Sequence, residues 1–185
     1  MKRGIIILLF IIFCCSYCNS YGQLYFTKNG RISFFSKTGL ENISADNNQV
    51  LSVVNMETGA LQFSLLNNAF FFPKAKMQED FNENYMESDK YPKSTFKGII
   101  TDIGTINLNN DGNYHVHVKG DLTIHGVTKN ITTTGDLIIK NGNISATASF
   151  KVLLTDYNIK IPTIVTDKIA KDITVTVSCN YEKKL

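Results

Sequence analysis

Period-two alternation runs through this sequence and leaves little choice of architecture. Val116, Val118, Gly120, Leu122 and Ile124 are apolar or small, and His115, His117, Lys119, Asp121 and Thr123 fall between them. Near the C-terminus Ile173, Val175, Val177, Cys179 and Tyr181 alternate with Thr174, Thr176, Ser178 and Asn180. Leu61, Phe63 and Leu65 do the same against Gln62 and Ser64. Successive strand side chains point to opposite faces, so these runs predict half-buried strands.

Turn signals separate the runs. Asn141-Gly142 lies between Leu137–Lys140 and Asn143–Phe150, and a type I′ hairpin turn needs two positive φ angles. Asn109-Asn110-Asp111-Gly112 is expected to separate a strand over Thr105–Leu108 from the long Tyr114–Ile124 strand. Asp46-Asn47-Asn48 is expected to lie as a turn between a pair of earlier strands. The count comes to about eight strands, antiparallel where short turns join them. Closing such a sheet into a barrel removes its exposed edges, with a two-sheet sandwich as the alternative.

One segment departs from the pattern. Met77, Phe81 and Tyr85 recur at four-residue spacing among Gln78, Glu79, Asp80, Glu83 and Glu87. This predicts a short amphipathic helix after Pro73 and before Pro92. So short a helix needs its apolar stripe packed on something, such as one end of a barrel.

The N-terminus reads Met1-Lys2-Arg3-Gly4 and then nine apolar residues, Ile5 to Phe13. Cations, a short apolar stretch and small residues before a cut predict a secretory signal over residues 1–22, cleaved after Gly22. The apolar stretch is short for a membrane span. Cys14, Cys15 and Cys18 raise lipidation as an alternative, which their bulky preceding residues disfavour. Residues 23–185 would then form one domain of 163 residues whose net charge falls from +3 to +1. That near-neutrality removes the argument for nucleic-acid binding. It also leaves Cys179 without a disulfide partner in an oxidising compartment.

The sequence carries little that suggests bond-making chemistry. There is no nucleophile elbow or phosphate-cradling glycine loop, and hence no catalytic or cofactor assignment. His115 and His117 share a strand face but supply only two metal ligands. His125 falls on that same face by parity, roughly 33 Å from His115 along an extended strand. All three are read as solvated strand histidines, and no metal is expected. Cys179 lies on an apolar face and is read as a small buried hydrophobe.

Phenylalanine is the conspicuous residue. In Phe34-Phe35 the two rings point to opposite faces, and in Phe70-Phe71-Phe72 the middle ring opposes the others. Small barrels are filled by their own side chains or hold one small ligand. Strand parity and the helix stripe give a candidate apolar cavity lined by Phe34, Phe63, Phe81, Tyr85, Met86, Phe96, Leu122, Ile124 and Tyr157.

Two segments carry a family resemblance. Tyr91-Pro92-Lys93-Ser94-Thr95-Phe96-Lys97-Gly98 resembles the YP-x-x-x-F segment of the YceI-like family. Gly120-Asp121-Leu122-Thr123-Ile124-His125-Gly126-Val127-Thr128-Lys129 resembles that family's G-x-LTIHGVTK signature. The resemblance extends over nearly all of Gln23–Leu185. It implies a lipocalin-like antiparallel barrel in the periplasm that binds polyisoprenoids or isoprenoid quinones; the family lacks an agreed enzymatic mechanism, and no enzymatic activity is expected here. It also implies that Gly126 makes a sharp turn. An arginine common before the late aromatic segment of the family is absent from Lys151–Tyr157, which weakens the expectation of a charged head group there.

The expected function is therefore an apolar-ligand carrier, store or sequestering protein, in transient contact with membranes and of unspecified oligomeric state. A packed, ligand-free envelope or stress-response barrel and an isoprenoid-modifying enzyme are the alternatives.

Overall fold

The computed structural model describes residues 23–183, so the predicted signal segment lies outside the described residues. Eight strands form a closed antiparallel barrel in chain order. They are β1 (Leu24–Lys37), β2 (Asn42–Asn55), β3 (Ala60–Leu66), β4 (Lys93–Ile100), β5 (Gly112–Ile124), β6 (Val127–Lys140), β7 (Asn143–Leu153) and β8 (Asp172–Lys183). β8 returns to β1, with Phe34 opposite Val175, and this pairing closes the wall. The barrel, not the sandwich, is the architecture.

Asn141 and Gly142 have φ of 51° and 76°, as a type I′ turn requires, and join β6 to β7. His125 and Gly126 have φ of 51° and 73° and join β5 to β6 in the same way. Expected parity ends at this turn. His125 leaves the face that carries His115 and His117 and is buried, because a positive-φ residue no longer continues the strand.

Two expected boundaries are corrected. β2 runs unbroken through Asp46-Asn47-Asn48. An extra residue in β1 between Thr27 and Gly30 is offset by one in β2 between Asn47 and Val50, so the polar triplet marks a bulge. Asn47 is fully buried there, donating to the Leu66 carbonyl at 2.9 Å and accepting from the Gln49 amide at 2.9 Å. Thr105–Leu108 is not a strand. Ile103–Thr105 makes a single 3₁₀ turn, and Ile103, Ile106 and Leu108 pack against the core at one end of the barrel. Packing all three of these partly buried apolar side chains as a plug suits an irregular loop better than an alternating strand.

The helix forms where expected. α1 (Ala75–Asp80) passes directly into a π-helical turn, Phe81–Tyr85. The Met86 amide donates to the Phe81 carbonyl, the wide i to i+5 spacing of that turn. It covers the barrel end opposite the loop plug. The wall itself is incomplete on one side: β6 pairs with β7 only from Gly135 onward. Beyond that point the 3₁₀ turn Leu154–Tyr157 and Ile159 pack beside Val127 and Ile131.

Candidate functional site: an apolar cavity along the barrel

The barrel encloses a cavity of about 440 Å³, within the size range of small-molecule sites. It runs from the helix-covered mouth, where Ile173 lines it, to Tyr181 near the plugged end. These two residues lie eight positions apart on β8, roughly 26 Å along a strand.

Aromatic rings form one wall at the mouth. Phe34 sits on β1, Phe70 and Phe72 precede the helix, and Phe81 descends from the π turn. The Phe81 ring centroid lies 5.6 Å from Phe34, 5.5 Å from Phe70 and 5.1 Å from Phe72. Offset and tilted packing at such distances is favourable beyond simple burial. Phe71, between the two inward rings, is outside and pairs as an isolated bridge with Asp46. Deeper in, Phe63 and Phe96 face each other across β3 and β4 with centroids 6.4 Å apart.

The π turn sets which helical residues face inward. Phe81, Tyr85 and Met86 all line the cavity, together with Met77 one turn earlier. Burial raises the Tyr85 hydroxyl's pKa above its ordinary value, and the Asp80 carboxylate adds to the shift. Leu122 and Ile124 line the cavity from β5.

Tyr157 does not line it. Tyr157 is buried in the 3₁₀ turn that fills the gap beside β6. Its backbone carbonyl accepts a hydrogen bond from His125 Nδ1 at 3.0 Å. Strand parity fails for Tyr157 because the chain turns there and Asn158 adopts a left-handed conformation. Phe70 and Phe72 are cavity residues outside the expected lining, although their parity is visible in the sequence. Val165 and Ile169 also line the cavity. They come from the loop before β8, where no periodicity signals them.

Glu41, Asp80 and Lys168 line the cavity at the mouth, and Asp136 of β6 borders it farther along the barrel. Glu41 pairs with Lys74 at 3.0 Å, and Asp80 pairs with Lys76 at 3.0 Å. Lys168 lines the same region from the loop before β8. Cys179 is buried at 1% exposure, and burial pushes its thiol up to about 11. It is therefore protonated at neutral pH and a poor nucleophile. His115 and His117 are exposed, each with Nδ1 3.0 Å from a carboxylate, Asp136 and Asp102 respectively. Among the described residues no group of three or more acidic, histidine or cysteine side chains is placed to hold a metal.

The two sequence segments that carry the resemblance meet in space. Tyr91 packs its ring 4.5 Å from the His125 ring, and a Cβ on Gly126 would lie 2.5 Å from that same Tyr91 ring. Gly126 is thus needed twice, for its φ and for close approach. Asn67, fully buried, ties this corner to β3 by donating to the Tyr91 carbonyl at 2.6 Å and accepting from Ser94 at 2.7 Å.

A closed eight-stranded barrel around an elongated apolar cavity defines a lipocalin-like class of binding barrel. The YceI-like domain matches residues 25–181, and the chain belongs to that family. No curated protein matches it. Among solved structures, it is similar to a polyisoprenoid binding domain from Saccharophagus degradans implicated in plant cell wall breakdown. That likeness has a TM-score of 0.77 and 15% identity over 88% of this chain and 99% of the other. Burkholderia cenocepacia BcnA gives a TM-score of 0.70 and 15% identity, covering 83% of this chain and 96% of its own. A Campylobacter jejuni YceI protein gives 0.53 and 16%, covering 85% and 86%. At these identities the likeness establishes the shared fold.

Proposed function

We propose that this protein holds one elongated, apolar, isoprenoid-class ligand inside the barrel, and that it acts as a carrier, store or sequestering protein in the periplasm after cleavage of the N-terminal signal. The observation that carries the reading is the cavity itself, apolar along its walls and continuous from the aromatic mouth to Tyr181. A barrel packed solid by its own side chains would have no such space. The polyisoprenoid binding domain from Saccharophagus degradans shares the fold and supports the ligand class.

The driving force is burial. Each methylene moved from water gains about 0.8 kcal/mol, offset by the freedom the ligand loses on binding. The reading requires no bond to be made or broken. Phe34, Phe63, Phe81, Tyr85, Met86, Phe96, Leu122 and Ile124 would contact the chain of the ligand. Native mass spectrometry of protein purified from cell envelopes tests this, and a lipid adduct in the isoprenoid mass series is expected. Protein that carries no lipid, and takes up neither phytane nor phytanol when offered them, would overturn it.

A further inference from the structure

The plugged end of the cavity is not uniformly apolar. Tyr181 lines it, and its hydroxyl lies 2.8 Å from Ser52 Oγ. Ser52 is 1% exposed and Tyr181 6%. Both side chains face the barrel interior, from β2 and β8, with β1 between them. Gly30 of β1 makes room for this crossing: a Cβ there would lie 2.8 Å from Cys179 Sγ and 3.3 Å from Val50 Cβ.

A hydroxyl pair has two hydrogens and only one mutual hydrogen bond. One of the two donors is therefore left for a further partner. Within the protein the adjacent group is the Cys179 thiol, which interacts with the Tyr181 hydroxyl, and sulfur is a weak acceptor. Val54, Leu61, Val116, Val118 and Leu137 line this end beside Tyr181, and Asp136, which also borders the cavity, commits its carboxylate to the exposed His115. A buried donor with only a weak acceptor gains when an oxygen arrives. A charged group arriving there would meet no cation and would bear its full desolvation cost.

We propose that Ser52 and Tyr181 form a subsite for one uncharged oxygen at the buried end of the ligand: a hydroxyl, ether or carbonyl. Tyr181 is the donor to it, because Tyr181 reaches the cavity lining and Ser52, although turned inward, lies behind it. The inference rests on the ligand-holding reading above. It adds that the ligand enters with a neutral oxygen-bearing end leading, and that phosphorylated or carboxylate ends stay at the mouth beside Lys168.

The test uses two probes of one carbon skeleton, phytanol and phytane, bound to delipidated full-length protein and compared by competition native mass spectrometry. In Tyr181→Phe the phytanol-to-phytane affinity ratio is expected to fall about tenfold from wild type, the scale of one buried hydrogen bond. Phytane binding itself should persist. Ser52→Ala removes the partner of the tyrosine hydroxyl but keeps the donor, so its ratio should stay well above that of Tyr181→Phe. A second readout needs no variant: the carbonyl stretch of bound phytone, the matching isoprenoid ketone, should move to lower wavenumber than in hexadecane. An unchanged ratio in Tyr181→Phe, or a carbonyl band at its hexadecane position, overturns the subsite while phytane binding leaves the ligand-holding reading standing. Failure of wild type to bind either probe overturns both.

Discussion

His125 Nε2 lies 2.8 Å from Glu87 Oε2, and the other ring nitrogen of the same histidine lies 3.0 Å from the Tyr157 carbonyl oxygen. A carbonyl and a carboxylate only accept. Nδ1–H therefore donates to the Tyr157 carbonyl, and Nε2 faces the Glu87 carboxylate. One side chain thus pins the end of the helical lid and the turn Leu154–Tyr157 to the β5–β6 hairpin. The turn chemistry points the same way. Asn-Gly is favoured in a type I′ turn, yet this turn uses His125-Gly126, trading local preference for a three-way tie.

His125→Asn separates the two roles. Asparagine tolerates the left-handed conformation but cannot span from Glu87 to Tyr157. The hairpin should survive, while stability falls by about 1–3 kcal/mol for the lost buried hydrogen bonds. Hydrogen exchange checks this: amides of residues 81–91 should lose protection more than those of β5 and β6.

Acidification should loosen the same corner. The hydrogen bond from His125 is the main cause holding the Glu87 carboxyl below the usual carboxylate range. A depressed folded pKa gives stability that is present above the unfolded value and lost as pH falls through the folded one. The melting-temperature difference between wild type and Glu87→Gln should therefore be largest near neutrality and vanish at strongly acid pH. A difference that stays constant with pH would show that the carboxylate charge is not involved.

Gly98 and Gly120 face each other across β4 and β5, and the Phe96 ring lies over both. A Cβ on Gly120 would sit 2.4 Å from Gly98 Cα and 2.8 Å from Phe96 Cζ. Backbone cannot retreat as a ring can, so Gly120→Ala should cost about 1–3 kcal/mol. It should also drive Phe96 into the cavity and reduce uptake of phytane. Thermal melts and probe titration read the two effects separately.

Phe81→Ala removes the ring shared by Phe34, Phe70 and Phe72. Large-to-small changes of this kind cost about 3 kcal/mol or more when the site cannot collapse. The mouth already borders a cavity, so the greater effect should be on ligand retention. A faster off-rate of phytane with a preserved barrel circular-dichroism spectrum is the expected result.

What is legible in the sequence follows from which signals are local. Alternation places Phe34 inward and Phe35 outward, and the latter is 41% exposed. Asn141-Gly142 announces its turn because two positive φ angles are a local demand. The bulge at Asn47 is not legible, since polar triplets mark turns and bulges alike and the choice depends on Leu66, nineteen residues away. Tyr157 defeats strand parity because its position depends on a gap between β6 and β7 that no single strand encodes. Val165 and Ile169 escape notice for the same reason: a loop residue faces a cavity only by tertiary packing.

Cys179 offers the last prediction, because its burial has a sign as well as a size. Its thiol is raised to about 11 chiefly by desolvation. At pH 8 the thiolate fraction would be about a thousandth. Alkylation by iodoacetamide should therefore be slow in the folded protein and fast in denaturant, with a native rate that follows barrel opening. An acid raised on folding binds its proton more tightly in the native state, so stability should fall as pH climbs from the ordinary thiol range toward 11. The buried Tyr181 hydroxyl, also raised by desolvation, extends that decline further into the alkaline range. A stability curve flat from neutrality to pH 11, together with rapid native alkylation, would place the thiol in contact with solvent instead of between Gly30 and Tyr181.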